Sequence, residues 1–369
     1  MKTLAYFLIA GLLSACTQQS LNSSPAEVTE VVIPGTQTDT LQSTIVDQQY
    51  KLLINFPASY HQSDKQYPVV FLLDAQWDFP LVSSIYGEQY FDGFVPEVII
   101  VGITWGGKDP DPNILRRRDF TPTDINQIGM AGGADKFLQF IQSELVPYVE
   151  THYRANDNRT LMGSSLGGLF TLYAMFQQPQ LFNNYIPSSP AVTWDNNSLF
   201  QYSEGFEQRA AEHTMRLFMP VAELEGLYQP VLNFAAFLQT QNYPNLTWKN
   251  HVVAGAGHSG VKADGNTRGL QYVFQKPNIA LTDTQLQAAS GTYQDSQHQH
   301  AFELMVEEGK IMAVFPDANN VLKLAAADAT HFYQIGQFFQ LDLVQNTAME
   351  ITGAQIHRYG QTSTYTKVP

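Results

Sequence analysis

Cysteine and basic residues are both scarce in this 369-residue sequence. Cys16 is the only cysteine, so no disulfide bond can form within the chain. Lysine and arginine together number 20 against 34 acidic residues, which gives a formal net charge of −14. Because an acidic surface repels nucleic-acid phosphates, nucleic acid is excluded as a partner class. The length exceeds what one hydrophobic core usually organises, so two domains are expected.

The N-terminal apolar segment, Leu4–Leu13, is too short to span a bilayer. It ends in "LSAC", whose last residue is Cys16, and an ordinary signal peptide that happens to carry a cysteine is one interpretation. The segment also resembles the lipobox of bacterial lipoproteins, in which a small residue precedes a lipidated cysteine. This resemblance implies a signal peptide of residues 1–15 and a lipid-modified Cys16 that anchors the chain to a membrane.

The residues after the cysteine extend this interpretation. Thr17, rather than an aspartate, follows Cys16, and in Gram-negative lipoproteins this implies the outer membrane. Residues 16–40 are rich in Ser, Thr and Gln and show no clear apolar period. We therefore expect them to form a solvated tether between a lipid anchor in the cell envelope and a folded domain.

The pattern in the body of the chain indicates an α/β fold. Tyr67–Leu73 and Val98–Thr104 are continuous apolar runs rich in β-branched residues, which are typical of buried parallel strands. Ala134–Val149 and Gln229–Gln241 carry apolar residues at helical spacing. Strands that alternate with helices predict a mostly parallel central sheet covered on both faces, over residues 41–277. Residues 278–369 change to short alternating runs, which predict a small antiparallel β domain.

A serine within a glycine-rich stretch is the first candidate for chemistry. Residues 163–167, "GSSLG", fit the pattern G-x-S-x-G, with Ser165 at its centre. An ordinary glycine-rich loop is the alternative. However, an apolar strand-like segment precedes the stretch and a helical pattern follows it, which is the strand–turn–helix context of a nucleophile elbow. We therefore favour Ser165 as a nucleophile.

A serine hydroxyl requires a histidine base and a carboxylate that orients the histidine. His258 lies in a loop of small residues just past the strand-like run 246–253, whereas the competing His251 lies inside that run. The acid should follow the apolar run "RLFMPVA", where Glu223 and Glu225 are both candidates. Strand alternation sends both to the same face, so it does not choose between them. We favour Glu225 because it adjoins the turn at Gly226.

Two further kinds of site residue are predicted. The oxyanion hole would use the backbone N–H of Leu166 and one from the loop after "YPVVFLL", at Ala75 or Gln76. Arg116 and Arg118 are candidates for binding an anionic ester, with salt bridging as the alternative. Trp77 and Trp194 are candidates for an aromatic acyl pocket, with plain packing as the alternative.

The stretch from about Leu41 to Phe274 resembles an esterase family of α/β-hydrolases that includes enterochelin (trilactone-siderophore) esterases, S-formylglutathione hydrolases, feruloyl esterases and mycolyl transferases. Matching segments include "YPVVFLLDAQ", "RRRDFTPT", "RTLMGSSLGGLFTLYAMF", "YIPSSPAVTWDN", "VAELEG" and "GAGHSG". The resemblance implies that Ser165 is the nucleophile, His258 the base and a glutamate of residues 222–226 the acid. The family commonly has Asp-Gly where this chain has Asp74-Ala75, which leaves the second oxyanion amide open.

These features predict a serine carboxylic ester hydrolase that forms an acyl-enzyme on Ser165, without metal or other cofactor. Its substrate would be a small-molecule ester, either a siderophore-type lactone or another small acyl ester. The alternative is a non-catalytic, surface-binding lipoprotein that kept a hydrolase fold. The segment "AASGTYQD" and the terminal "YTKVP" loosely resemble a small β domain found after some β-lactamase-like serine hydrolases, which implies an accessory role for residues 278–369.

Overall fold

A computed structural model describes residues 32–125 and 130–368 of the chain. Its first sheet has eight strands in the spatial order β1-β2-β4-β3-β5-β6-β7-β8. Six neighbouring strands, β4 to β8 along that order, run parallel, while β1 and β2 form an antiparallel edge. The strands are β1 (Thr36–Ser43), β2 (Gln48–Asn55), β3 (Tyr67–Leu72), β4 (Ile99–Trp105), β5 (Ala155–Ser164), β6 (Asn184–Ser188), β7 (Met215–Ala222) and β8 (Leu246–Val253).

Helices cover both faces of this sheet. Because successive side chains of a strand point to opposite faces, Val69 and Phe71 of β3 join one apolar cluster while Val70 and Leu72 join another. The second cluster lies beneath α1 and α10. The helices are α1 (Ala75–Phe91), α2 (Pro112–Phe120), α3 (Ala134–Phe140), α4 (Val146–His152), α5 (Leu166–Gln177), α6 (Trp194–Asn197), α7 (Leu199–Tyr202), α8 (Phe206–Arg209), α9 (Tyr228–Gln241), α10 (Val261–Val273) and α11 (Asp283–Ala289), with a π-helical segment Ile141–Leu145 between α3 and α4.

The predicted fold, a mostly parallel α/β sheet followed by an antiparallel β domain, is confirmed. The boundary of the predicted tether needs correction, because residues 36–40 belong to strand β1. Their polar side chains alternate along an exposed edge strand, so no apolar period marks them. Asp39 attaches the strand to the rest of the domain, because its carboxylate accepts hydrogen bonds from the hydroxyls of Tyr148 and Tyr153. The signal peptide and most of the tether lie outside the described residues.

The loop predicted after β3 is only two residues long, Leu73 and Asp74. Asp74 takes a left-handed conformation, with φ of 53°, and helix α1 begins at the next residue. The sequence did not indicate this helix because its pattern of apolar and polar residues is weakly periodic and Pro80 lies inside it. Ala75 and Gln76 therefore lie in the first turn of a helix, which matters for their backbone amides.

The C-terminal residues form a second, nine-stranded antiparallel sheet that is nearly closed into a barrel. Its two edge strands, β12 and β13, are separated by only Leu324 in the chain. Alternate side chains fill the interior, among them Tyr293, Phe302 and Leu341. The strands are β9 (Gly291–Gln294), β10 (Ala301–Glu307), β11 (Lys310–Phe315), β12 (Asn320–Lys323), β13 (Ala325–Ala326), β14 (His331–Tyr333), β15 (Gln340–Gln345), β16 (Ile351–Arg358) and β17 (Gln361–Lys367).

This second domain packs against the C-terminal end of α1. The rings of Tyr90 and Phe338 lie 5.1 Å apart, and those of Phe91 and Tyr359 stack at 5.1 Å. Helix α1 starts at the carboxyl end of β3, and its 17 residues extend about 25 Å from there. The second domain therefore lies away from the edge of the sheet where the parallel strands end. Among the residues described, no helix combines the length and apolarity needed to cross a bilayer.

Candidate active site

Ser165 occupies a sharp turn between β5 and α5. Its φ of 58° is unusual for a residue with a side chain and marks local backbone strain. A Cβ on Gly163 would lie 2.5 Å from the carbonyl of Gly167, so the tight turn requires glycine there. The N–H of Ser165 donates to the carbonyl of Ser188, at the end of β6, with a distance of 2.9 Å. The turn thus has the geometry of a nucleophile elbow and is fixed to the neighbouring strand.

Glu225 and His258 are in direct contact. The Nδ1 of His258 is hydrogen-bonded to Oε2 of Glu225, whose side chain is only 4% exposed. The other carboxylate oxygen accepts hydrogen bonds from the Oγ of Ser189 and, at 2.9 Å, from the N–H of Ala222. A buried carboxylate held by three donors fixes the imidazole and favours the tautomer with its proton on Nδ1. Nε2 is then the nitrogen that can accept a proton.

Glu223 has a different position. Its carboxylate accepts a hydrogen bond of 2.7 Å from the backbone N–H of Gly255. Its own N–H donates to the carbonyl of Val253, so strand pairing between β7 and β8 continues to this residue. Glu223 therefore stabilises the loop that leads to His258, and the structure brings Glu225 rather than Glu223 against the histidine. The competing His251 lies within β8, where its Nε2 is 3.4 Å from the carboxylate of Asp264.

Ser165 and His258 lie at the same edge of the sheet. The residues that carry the site follow β5, β6, β7 and β8, which are neighbours in the sheet and run parallel. Ser165 bonds to Ser188, the adjacent Ser189 bonds to Glu225, and Glu225 bonds to His258. Sequence reasoning missed Ser189, although "YIPSSPAV" was among the segments that resemble the esterases; its positive φ of 41° marks a second tight turn.

The predicted oxyanion amides lie at two helix N-termini that adjoin each other. Leu166 is the first residue of α5, and Ala75 and Gln76 are the first two of α1, so their N–H groups have no acceptor within their helices. A Cβ on Gly167 would lie 3.3 Å from the Oδ2 of Asp74, which brings the start of α1 next to the start of α5. Helix N-termini favour negative charge, as an oxyanion requires.

Arg116 links the start of α1 to the elbow. Its guanidinium binds the carboxylate of Asp74 through two hydrogen bonds of 3.0 and 2.8 Å, and one nitrogen lies 3.5 Å from the carbonyl oxygen of Ser164. Burial raises the pKa of the Asp74 carboxyl, and the bound guanidinium opposes this effect. Because Nε and Nη2 of Arg116 both bind the Asp74 carboxylate, the side chain mainly fixes the start of α1 against the Ser165 turn. Its positive charge also lies near Ser165. The indole of Trp77 lies beside it, 5.5 Å from the guanidinium carbon, and is 48% exposed.

Arg118 and Trp194 have structural partners. Arg118 makes a bidentate ion pair with Asp119, whose carboxylate also accepts hydrogen bonds of 2.7 Å from the hydroxyl of Tyr50 and the indole N–H of Trp105. This arrangement fits the salt-bridge alternative and not a substrate-binding role for Arg118. The indole N–H of Trp194 donates to Thr123 at 3.1 Å, and the ring is half-buried. Within residues 32–125 and 130–368, no cluster of three or more His, Cys, Asp or Glu residues is placed to hold a metal ion.

This fold and site define an α/β-hydrolase, with a serine elbow, a histidine and a buried carboxylate at the carboxyl edge of a parallel sheet. A family model described as "Putative esterase" matches residues 43–260. The chain belongs to this esterase family and is an ester hydrolase. The match spans the first domain from β2 to β8 and ends before α10 and the nine-stranded sheet.

Individual relatives agree with this assignment. The chain is 30% identical to the ferri-bacillibactin esterase BesA of Bacillus subtilis over 217 residues, which cover 54% of this chain and 74% of that protein. It is 31% identical to the siderophore triacetylfusarinine C esterase of Aspergillus fumigatus over 180 residues, covering 45% and 60% of the two chains. Among solved structures, the BES protein from Bacillus cereus superposes with a TM-score of 0.62 at 26% identity, over 67% of this chain and 97% of that one.

Proposed function

We propose that the protein is a serine esterase that works through an acyl-enzyme. The Oγ of Ser165 attacks the ester carbonyl while Nε2 of His258 takes its proton, and the tetrahedral oxyanion is stabilised by the amides at the starts of α5 and α1. The proton then passes from His258 to the departing alkoxide, which leaves as the alcohol. A water molecule, deprotonated by the same nitrogen, releases the acid and restores Ser165.

The observation that carries this proposal is the contact between the buried Glu225 and His258 at the edge of the sheet that bears the strained Ser165 turn. A buried carboxylate is costly unless it is compensated, and here the Ser189 hydroxyl, the Ala222 N–H and the imidazole all bind it. The imidazole itself stays 44% exposed, as a base that must reach substrate requires.

The substrate class that we propose is the siderophore-type ester or lactone. Two relatives support this class: one is named a ferri-bacillibactin esterase and the other a siderophore triacetylfusarinine C esterase, and they match at 30% and 31% identity. In this chain, the exposed indole of Trp77 and the guanidinium of Arg116 lie together next to the Ser165 turn. An aromatic face beside a positive charge suits the aromatic, anionic acyl groups that catecholate compounds of this class present.

A substrate panel tests the proposed class. We expect a catecholate trilactone to give a kcat/KM at least ~100-fold above that of p-nitrophenyl acetate or a short acyl thioester, a difference of about 2.7 kcal/mol in transition-state binding. Product release is followed by chromatography for the lactone and by absorbance for the other two compounds. Comparable values for all three would contradict the siderophore assignment. No turnover of any ester would favour the non-catalytic, surface-binding alternative.

A variant of Trp77 tests whether its indole contributes to trilactone binding. Because the indole is exposed, Trp77→Ala should leave folding unchanged. We expect it to lower kcat/KM for the trilactone roughly tenfold through KM while changing p-nitrophenyl acetate hydrolysis less than about twofold. The half-buried Trp194, whose indole N–H is bound by Thr123, is less suitable as a variant because its removal also breaks a packing contact.

We also propose that the enzyme is a lipoprotein anchored at Cys16, with the outer membrane as its location. The support is the sequence alone: the lone cysteine after a short apolar run, and Thr17 behind it. In a Gram-negative host, we expect the wild-type chain in the membrane fraction, with an N-terminal peptide whose mass shows acyl groups on Cys16. Cys16→Ala should remain unprocessed or free of lipid. A soluble wild-type chain that keeps residues 1–15 and carries no lipid would contradict the proposal.

A further inference from the structure

A cavity of about 560 Å³ lies between the first domain and the nine-stranded sheet. Phe218 of β7 and Lys249 of β8 line it from the central sheet, Arg268 and Tyr272 from α10, and Tyr333 from the second domain. Helix α10 begins three residues after His258, and Arg268 and Tyr272 lie in its second half, about 10 and 17 Å along the helix. The cavity is therefore distinct from the Ser165 site.

The walls of this cavity are positively charged, although the protein as a whole is acidic. Lys249, Arg268 and Lys276 line it, together with His251, and no aspartate or glutamate is among the lining residues. Arg268 and His251 share one carboxylate, that of Asp264. Lys249 and Lys276 make no ion pair with any residue that the structure describes. Two ammonium groups thus face one cavity without an ion-pair partner in the described part of the chain.

Lys276 is the more enclosed of these two ammonium groups. Burial lowers the pKa of its ammonium, although the carboxylate of Asp342 opposes this effect at longer range. Its Nζ lies 5.1 Å from the centre of the Tyr333 ring, a contact that stabilises the cation. The Tyr333 hydroxyl in turn donates to the backbone carbonyls of residues 276 and 277, which holds the ring in place. An anion would complete this arrangement.

The cavity also offers aromatic surface and an unused acceptor. The rings of Phe218 and Tyr272 pack 5.5 Å apart, and Phe94 contributes a third ring. The carboxamide oxygen of Gln334 is fully buried in the lining and accepts no hydrogen bond within the described part of the chain. A buried polar atom without a partner is costly, so it marks a position where a ligand group would bind.

We propose that this cavity binds a small organic anion that carries an aromatic ring. The volume suits a small molecule, since ligand sites commonly measure about 300–1,000 Å³. The ammonium groups of Lys249 and Lys276 bind the anionic group, the rings of Phe218 and Tyr272 pack on its aromatic part, and the Gln334 oxygen accepts a hydrogen bond from it. Because both domains supply walls, the ligand bridges them. The cavity's separation from Ser165 makes the proposal independent of the reaction.

Titration calorimetry with 6-hydroxy-2-naphthoate, whose hydroxyl supplies the hydrogen-bond donor, tests this site, with the neutral 6-hydroxy-2-naphthamide as the matched ligand. We expect the acid to bind at least ~10-fold more tightly than the amide. The double variant Lys249→Gln with Lys276→Gln should lose at least ~10-fold in affinity for 6-hydroxy-2-naphthoate. Lys51→Gln with Lys323→Gln is the matched control; it removes the same charge from exposed lysines outside the cavity and should stay within about twofold.

Three outcomes would overturn the proposal. The first is an undetectable affinity of the wild-type protein. The second is an equal loss of affinity in the cavity and control double variants, because the charge effect would then be general. An unchanged affinity in the cavity variant would place the ligand elsewhere, for example at Ser165. Thermal melts verify folding. Lys249→Gln alone, an exposed position on the edge strand β8, serves if the double variant is unstable, and its expected loss is roughly threefold.

Discussion

Ser165→Ala is expected to lower kcat for ester hydrolysis by about six orders of magnitude, because the acyl-enzyme can no longer form. Binding and the amides at the starts of α5 and α1 remain, so a residual rate roughly 10³-fold above that of water alone should persist. The measurement is steady-state hydrolysis of an activated ester together with mass spectrometry after treatment with a fluorophosphonate. The wild-type protein should gain one adduct, on Ser165, and the variant none.

The neighbouring serine provides the matched control. Ser164→Ala removes a hydroxyl that is buried and has no hydrogen-bond partner among the described residues. Removing such a group is nearly neutral for stability, so this variant should fold and keep activity within about threefold. Normal turnover by Ser165→Ala, or an adduct that persists in it, would eliminate the acyl-enzyme mechanism. A comparable loss in both variants would indicate damage to the turn and not the loss of a nucleophile.

Glu225→Gln is expected to keep the fold and lower kcat by ~10⁴-fold, because an amide in this position no longer enforces the imidazole tautomer. In the wild-type protein, the carboxylate accepts from Nδ1 of His258, from the Ser189 hydroxyl and from the Ala222 N–H. Glutamine has the same shape but replaces one acceptor with an NH₂ donor, so it favours the ring with its proton on Nε2. Kinetics and a thermal melt on the same preparation separate catalysis from stability.

Glu223→Gln is the control for this experiment, because it removes the same negative charge at a position only two residues from Glu225. Among the described residues, its exposed carboxylate binds only the N–H of Gly255, and the glutamine oxygen can still accept that bond. We expect a loss of less than about tenfold. A large loss at Glu223 with a mild loss at Glu225 would reverse the assignment of the acid. Mild losses at both would instead point to a Ser–His dyad.

The sequence alone determined the features that depend on neighbouring residues. Continuous apolar runs such as Tyr67–Leu73 predicted buried parallel strands because both faces of such a strand are covered. The pattern G-x-S-x-G predicted the turn at Ser165 because only small residues fit where the backbone of Gly163 approaches Gly167. The change to short alternating runs after residue 277 likewise predicted the second sheet. The sequence did not predict edge strand β1 or helix α1, because neither has a clear apolar period.

The tertiary structure decided which of the candidate groups meet. Glu223 and Glu225 share a strand face by alternation, and only the fold shows that Glu225 turns inward to Ser189 and His258 while Glu223 bonds to Gly255. Arg116 is engaged by Asp74, which is 42 positions earlier in the chain. The physical reason is the order of the strands: β5 to β8 end side by side, so loops that are far apart in sequence supply one site, and local periodicity carries no information about such contacts.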